Sequence, residues 1–298
     1  MHLGFHVMKG SRVCGKDAPD GAGSLAGSLT GSCECAVEEL RAIGVARPCV
    51  QIFIMGPLNG KTTDEIADLR KFATHTRIII HSAYISAPWN GNVHLLRKEL
   101  RIADAIGAHG VVVHLGKNAS ADIIAKILEV GNKPAADKPA ADKPAADKPA
   151  APFIWLEINS AKSSEHTFET PEKLHALFSQ LDPTQVGLCI DTAHLFACGV
   201  SLASREAAET WLRSVQYLMP KVPKMVHLND TSAELGSGRD VHENLFTGNI
   251  WKCYRKRPSD SGVIAIIEWC QRYHYDIIVE RSRENPTIDV TFVQEHSM

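Results

Sequence analysis

The sequence has no long hydrophobic run. Its longest uninterrupted apolar stretch is the five residues 263–267, far short of the roughly 20 that a membrane-spanning helix requires. The opening Met-His-Leu-Gly-Phe-His-Val lacks the basic and apolar regions of a secretory signal. Both absences predict a soluble, intracellular protein with no membrane partner. An excess of one charge is missing as well. Against 34 Asp and Glu stand 32 Lys and Arg, for a formal charge of -2. That balance argues against a generic polyanion binder, unless bound cations supply the positive field. The 8 cysteines include no Cys-x2-Cys pair, and a chain of 298 residues needs no staples, so they read as reduced thiols. No G-x-G-x-x-G or Walker sequence follows a strand pattern, which argues against a nucleotide cofactor.

What is present is ordinary globular material, 44% hydrophobic residues with 21 Gly, enough for a sizeable core. One segment differs. From residue 133 to 151 the unit Lys-Pro-Ala-Ala-Asp repeats almost unchanged. Proline every fifth residue blocks a continuous helix and only Ala is offered for burial, so the segment reads as an insertion outside the core. Residues 15–32, rich in Gly and Ser, read as a second loop. Elsewhere short β-branched runs alternate with amphipathic stretches. Strands are predicted at 3–7, 49–54, 77–81, 110–114, 153–158, 186–191, 224–228 and 276–280. Helices are predicted at 34–43, 120–130, 204–218 and 262–274, with a short last one near 288–295. Val93, Leu96, Leu100 and Ala103 share one helical face. Thr62-x-x-Glu65 reads as a capping box, and Thr170-Pro171 as an N-cap followed by proline at the first helical position. Eight strand–helix units predict one (β/α)8 barrel domain spanning 1–298, with an open doubly wound sheet as the alternative.

The histidines and carboxylates fall into register on that frame. His81 and His114 close the third and fourth strands, Glu157 sits late in the fifth, and Asp191 ends the sixth with His194 just beyond. His227 lies near the end of the seventh strand, Asp240 and His242 follow in the next loop, and Glu280 closes the eighth. The steps from His81 to His114 and from His194 to His227 are 33 residues, and that from Glu157 to Asp191 is 34. Roughly 250 residues shared among eight units gives about that period, and strand C-terminal ends converge on one mouth where such barrels carry their active sites. Five imidazoles and four carboxylates are costly to bury together without a cation. Imidazole with carboxylate suits zinc and its neighbours, and nine ligands point to a cluster of two or three ions. His6, near the end of the first strand, is left undecided.

These residues resemble a known family. Gly187-Leu-Cys-Ile-Asp-Thr-Ala-His194 is similar to the Cys-Ile-Asp-Thr-x-His signature of the endonuclease IV family of apurinic/apyrimidinic endonucleases. Val226-His-Leu-Asn-Asp230, then Asp240-x-His242 and Gly248-Asn-Ile250, resemble its next blocks, and Leu3-Gly-Phe-His-Val7 and Ile278-Val-Glu280 match its two ends. His81-x-x-Tyr84, Pro88-Trp89, His114-Leu-Gly116 and Ile250-Trp-Lys252 resemble the branch found in large DNA viruses.

The resemblance implies a three-zinc phosphoesterase that cuts 5′ to an abasic site in double-stranded DNA, acting as a monomer and leaving a 3′-hydroxyl. It implies that His81, His114 and Glu157 hold one zinc, that Glu157, Asp191, His227 and Glu280 hold a second, and that His194, Asp240 and His242 hold a third. Glu157 and Glu280 would be catalytic, Glu280 orienting the attacking water. Tyr84 and Ile85 would form a wedge entering the duplex. Two departures touch DNA contacts. Val241 replaces the usual Arg between the Asp and His, and the loop Met55-Gly-Pro-Leu-Asn59 lacks the Arg or Gln often found there. Two other functions compete. A sugar isomerase or epimerase shares the barrel and a His/Asp/Glu metal site, but needs fewer ligands than His114, His194, Asp240 and His242 add. A DNA-damage-binding protein without turnover would not need Glu157, Asp191 and Glu280 intact.

Overall fold

The β-branched runs form eight short strands: β1 (Leu3–Val7), β2 (Pro48–Ile52), β3 (Arg77–His81), β4 (Val111–His114), β5 (Ile154–Glu157), β6 (Val186–Asp191), β7 (Lys224–His227) and β8 (Asp276–Val279). In this computed structural model, which describes residues 1–9, 28–91, 93–131, 153–164, 166–280 and 286–297, they close a parallel barrel in chain order, β8 pairing back onto β1. The helices are α1 (Leu29–Ala42), α2 (Ile66–Phe72), α3 (His94–Ile106), α4 (Ala121–Gly131), α5 (Pro171–Phe178), α6 (Thr192–Ala197), α7 (Arg205–Leu218), α8 (Gly262–Tyr273) and α9 (Thr287–Glu295). The predicted (β/α)8 barrel is thus the fold, and the open sheet is excluded. The repeat at 133–151 and residues 15–27 of the Gly/Ser stretch lie outside the described residues. No helix among those described is long and apolar enough to cross a membrane.

Side chains alternate across each strand, and that alternation builds the site. Phe5, Val50, Ile52, Ile78, Ile80, Val111 and Val113 face outward into the large core beneath the helices. The other parity faces the barrel axis, where Cys49, Ile79, Val112, Phe153, Trp155, Cys189, Met225 and Ile278 pack as a separate buried cluster. Trp155 fits there because Gly187 opposes it on β6; a Cβ at 187 would stand 2.7 Å from the indole Cζ3. Two residues further along each strand, the inward side chain is polar: His6, Gln51, His81, His114, Glu157, Asp191, His227 and, just past β8, Glu280. A plug of apolar side chains therefore floors a ring of polar ones at the C-terminal mouth.

Local signals start and stop the helices. Thr170 caps α5 through Lys173 N–H, with Pro171 at its first position. Leu96, Leu100 and Ala103 are buried along α3, which ends at Gly107 in the left-handed region (φ 89°). Two expectations are corrected. Helix α1 begins at Leu29, so residues 29–32 are helical rather than loop. Nor does Glu65 complete a capping box with Thr62. Its carboxylate instead accepts from Leu29 N–H (2.9 Å), Thr30 N–H (2.8 Å) and Lys9 Nζ (3.0 Å), capping α1 from across the fold. That distant acceptor, together with Ser28 Oγ accepting from Gly31 N–H, starts the helix through a Gly/Ser sequence that alone favours loop.

Candidate metal centre

All nine candidate ligands converge on the mouth. Glu157, at the end of β5, is fully buried and lies at the centre. Its Oε2 is 3.3 Å from His81 Nε2 and 3.0 Å from His114 Nε2, and its Oε1 is 2.8 Å from His227 Nδ1. Glu280 Oε2 stands 3.2 Å from His227 Nδ1. On the far side, Asp240 Oδ1 is 3.2 Å from His194 Nε2 and 3.1 Å from His242 Nε2, with Asp191 Oδ2 3.8 Å from His242. Donor atoms group within 4.8 Å of one another as His81/His114/Glu157, Glu157/Asp191/His227/Glu280 and Asp191/His194/His242. Cys189 Sγ also falls near Glu157 and His227. It belongs to the apolar floor, and burial pushes its thiol up.

Outer contacts aim the rings. His81 Nδ1 lies 2.9 Å from Ser82 O and His194 Nδ1 2.8 Å from Ile158 O. A carbonyl can only accept, so both Nδ1 atoms carry a proton and both Nε2 atoms face the cluster, the orientation a metal-binding histidine needs. Burial opposes ionisation of Glu157 and Glu280. The charges of His227 and His114 outweigh it at Glu157, and the charge of His227 with the nearby His6 ring does so at Glu280, holding both carboxyls well below their usual range. Burial likewise opposes protonation of His194, but Asp191 and Asp240 overcome it and raise it well above an ordinary imidazole. Four buried atoms of the mouth have no hydrogen-bond partner among the described residues: His6 Nε2, Glu157 Oε2, His194 Nε2 and His242 Nε2. Unpartnered acceptors beside carboxylates that demand positive charge suit divalent cations.

The surroundings fix these positions. Asp191 both ends β6 and caps α6, its Oδ1 accepting from His194 N–H (2.8 Å), which places His194 one turn away on the same mouth. Asp240 and His242 sit in the β7–α8 connection, closed by paired hydrogen bonds between the Asp230 and Glu243 backbones. Asp230 also accepts from Gly248 and Ile250 N–H, and a Cβ at Gly248 would come 2.5 Å from Thr231 O. Trp89 donates to His114 O (2.6 Å), and Gly116 leaves room for its ring. Tyr84 and Ile85 stand on the rim, 53% and 39% exposed. The Tyr84 ring stacks on His114 (centroids 5.7 Å), and Glu99 on α3 holds its loop through Ser82 Oγ and Ala83 N–H.

Residues 38–287 match the AP endonuclease 2 family, described as a xylose isomerase-like TIM barrel. The chain belongs to that family. It is 31% identical over 255 residues to the protein named "Probable AP endonuclease" of African swine fever virus (isolate Tick/South Africa/Pretoriuskop Pr4/1996), spanning 80% of this chain and 81% of that one. The solved structure of AsfvAP:AG matches with a TM-score of 0.75 at 28% identity, covering 98% of this chain and 96% of the other. Endonuclease IV from Thermus thermophilus shares the fold, with a TM-score of 0.67 at 22% identity over 99% and 98% of the two chains. The resemblance to endonuclease IV and its viral branch therefore holds, and the relatives named AP endonuclease and endonuclease 4 put the chain among the hydrolases.

Three further residues line the mouth beyond the nine ligands expected from the sequence. Gln51 is fully buried and touches both Glu280 and His227. His6, left undecided, lines the same mouth, 3.1 Å from Gln51 Nε2 and 3.6 Å from Glu280. Asn229 donates to Asp191 Oδ2 (2.6 Å) and accepts from Glu280 N–H (2.9 Å), tying two strand ends together. The available signal was parity: His6 and Gln51 occupy the strand positions that carry ligands elsewhere.

Proposed function

We propose that this protein is a zinc-dependent apurinic/apyrimidinic endonuclease of base excision repair. It hydrolyses the DNA phosphodiester 5′ to an abasic site, leaving a 3′-hydroxyl and a 5′-deoxyribose phosphate. The observation carrying this reading is the convergence of five histidines and four carboxylates on one mouth, with unpartnered buried atoms among them. His81, His114 and Glu157 would hold one ion, Glu157, Asp191, His227 and Glu280 a second, and His194, Asp240 and His242 a third. Zinc bound there supplies Lewis acidity, lowering the pKa of water and offsetting phosphate charge. Three such ions add six positive charges to a chain of formal charge -2, which answers the absence of a basic excess.

The side chains divide the remaining work. Glu157 lies between the first two ligand sets and fixes their relative position. Glu280 orients the attacking water, and His194 with Asp240 and His242 flanks the leaving oxygen. Tyr84 and Ile85 present an apolar pair on the rim, suited to filling the gap left by an extruded abasic sugar. Extrusion is cheapest where no base pair must break, which favours abasic sites. The test is incubation with a duplex carrying one tetrahydrofuran abasic analogue, resolved on a denaturing gel. That analogue resists β-elimination, so a 3′-hydroxyl product is expected only from hydrolysis; no cleavage by zinc-replete protein overturns the proposal. Elemental analysis of active protein should find about three zinc ions per chain, and a reproducible single ion would favour a sugar isomerase.

A further inference from the structure

Gln51 occupies a ligand position in the polar ring without being an ionisable group. It lies on β2 between His6 on β1 and Ile79 on β3, and none of its surface reaches solvent. Its side chain makes three contacts. Nε2 donates to Glu280 Oε1 (2.5 Å) and lies 3.1 Å from His6 Nδ1, while Oε1 lies 2.9 Å from His227 Nε2.

The chemistry of these partners leaves one consistent arrangement. Ionised Glu280 can only accept, so the NH2 end of the amide must face it. The second amide proton then points to His6 Nδ1, which accepts. The carbonyl end is left for His227, whose Nε2 must therefore carry the proton. With Nε2–H committed to the amide, Nδ1 is the ring atom that faces Glu157 Oε1 at 2.8 Å and Glu280 Oε2 at 3.2 Å, and the one that would give up its proton to a bound ion. At His81 and His194 a main-chain carbonyl performs this task. At His227 the acceptor is a side chain, and the same amide also holds a carboxylate of the same ligand set.

We infer that Gln51 is a positioning residue of the metal centre: one amide fixes both the tautomer of His227 and the pose of Glu280, and thereby presents the Glu157/Asp191/His227/Glu280 site to a divalent ion. This rests on the metal-dependent reading above. His6 holds the amide against rotation by taking its remaining proton. A glutamate at 51 keeps the acceptor for His227 but loses both donors and sets a second carboxylate against Glu280. A methionine keeps the volume and loses both ends.

The test uses the full-length protein as purified and its Gln51→Met and Gln51→Glu variants, with thermal melts to establish folding. Competition with a zinc chelator should show weaker metal retention in both, by about 10–100-fold, the usual effect of removing an outer partner of a ligand. In 15N-histidine-labelled protein, the His227 Nε2–H should give a protected downfield proton resonance in wild type. Gln51→Met should lose it and Gln51→Glu should keep it. On abasic duplex kcat should fall with KM little changed, because Gln51 lies beneath the surface that DNA would touch. Wild-type chelator curves with an unchanged His227 resonance in folded Gln51→Met overturn the inference. The chelator and NMR readings involve no DNA, so they decide the role of Gln51 whether or not the duplex is cut.

Discussion

Two residues of the mouth separate chemistry from recognition. Glu280 is held ionised at the mouth, its burial outweighed by the charge of His227 with the His6 ring beside it. Glu280→Gln keeps the shape and removes the charge. Turnover should fall at least about 10²-fold, the scale of losing a positioned acid–base group, while binding to abasic duplex stays measurable by gel shift. Tyr84→Ala should show the reverse emphasis. Stacking on an aromatic is worth roughly 1–3 kcal/mol, so binding weakens, and the fold is spared because half of Tyr84 already faces solvent. Equal binding by wild type and Tyr84→Ala would remove the wedge from the mechanism. The nine candidate ligands were legible in the sequence because charge and imidazole at strand ends repeat with the period of a β/α unit. Gln51 was not, since an amide carries no charge to make it conspicuous, and its importance comes from partners on β1, β7 and β8. Cys189 shows the converse: a metal-binding residue type near the ligands that strand parity assigns to the apolar floor.

At the scale of elements, the strands were read nearly to their ends, whereas the start of α1 was not. Gly31 and Ser32 suggest loop, and the acceptor that reverses this stands at Glu65, in another β/α unit. No window along the chain contains both. Burial pushes the Glu65 carboxyl up, but the N–H groups of Leu29 and Thr30, with Lys9, outweigh it and lower it to about 2. The sign follows from that direction. An unfolded glutamate titrates near ~4.3, so the cap contributes fully above that pH and is lost as pH falls towards about 2. Glu65→Gln should therefore lower stability by roughly 1 kcal/mol at neutral pH, the scale of a helix cap. The deficit should shrink through the acid range and vanish where Glu65 is protonated in both states. Denaturant midpoints at a series of pH values measure it. A deficit that persists unchanged at the lowest pH would mean that Gln at 65 acts through packing, not charge.

For the whole molecule, the count of eight strand–helix units favoured a barrel and left an open doubly wound sheet as the alternative, because parallel strands joined by helices admit few arrangements; the pairing of β8 with β1 decides for the barrel. The count also missed α6, a short helix inserted between β6 and α7 that Asp191 starts and that carries His194. Barrel geometry assigns each connection to one of two faces. In chain order segment 133–151 falls between α4 and β5, and β5 starts at the barrel face away from Glu157. In chain order residues 15–27 fall between β1, whose C-terminal end lies at the mouth, and α1. Deleting 133–151 should leave cleavage of an abasic duplex nearly unchanged. Loop-closure entropy grows slowly with length, so stability should shift by about 1 kcal/mol or less. Shortening 15–27 should instead change DNA affinity, read by gel shift on the same duplex. If the first deletion abolished cleavage and the second left affinity untouched, each segment would be acting at the face opposite to its connection, and the placement of DNA over the C-terminal mouth would have to be abandoned.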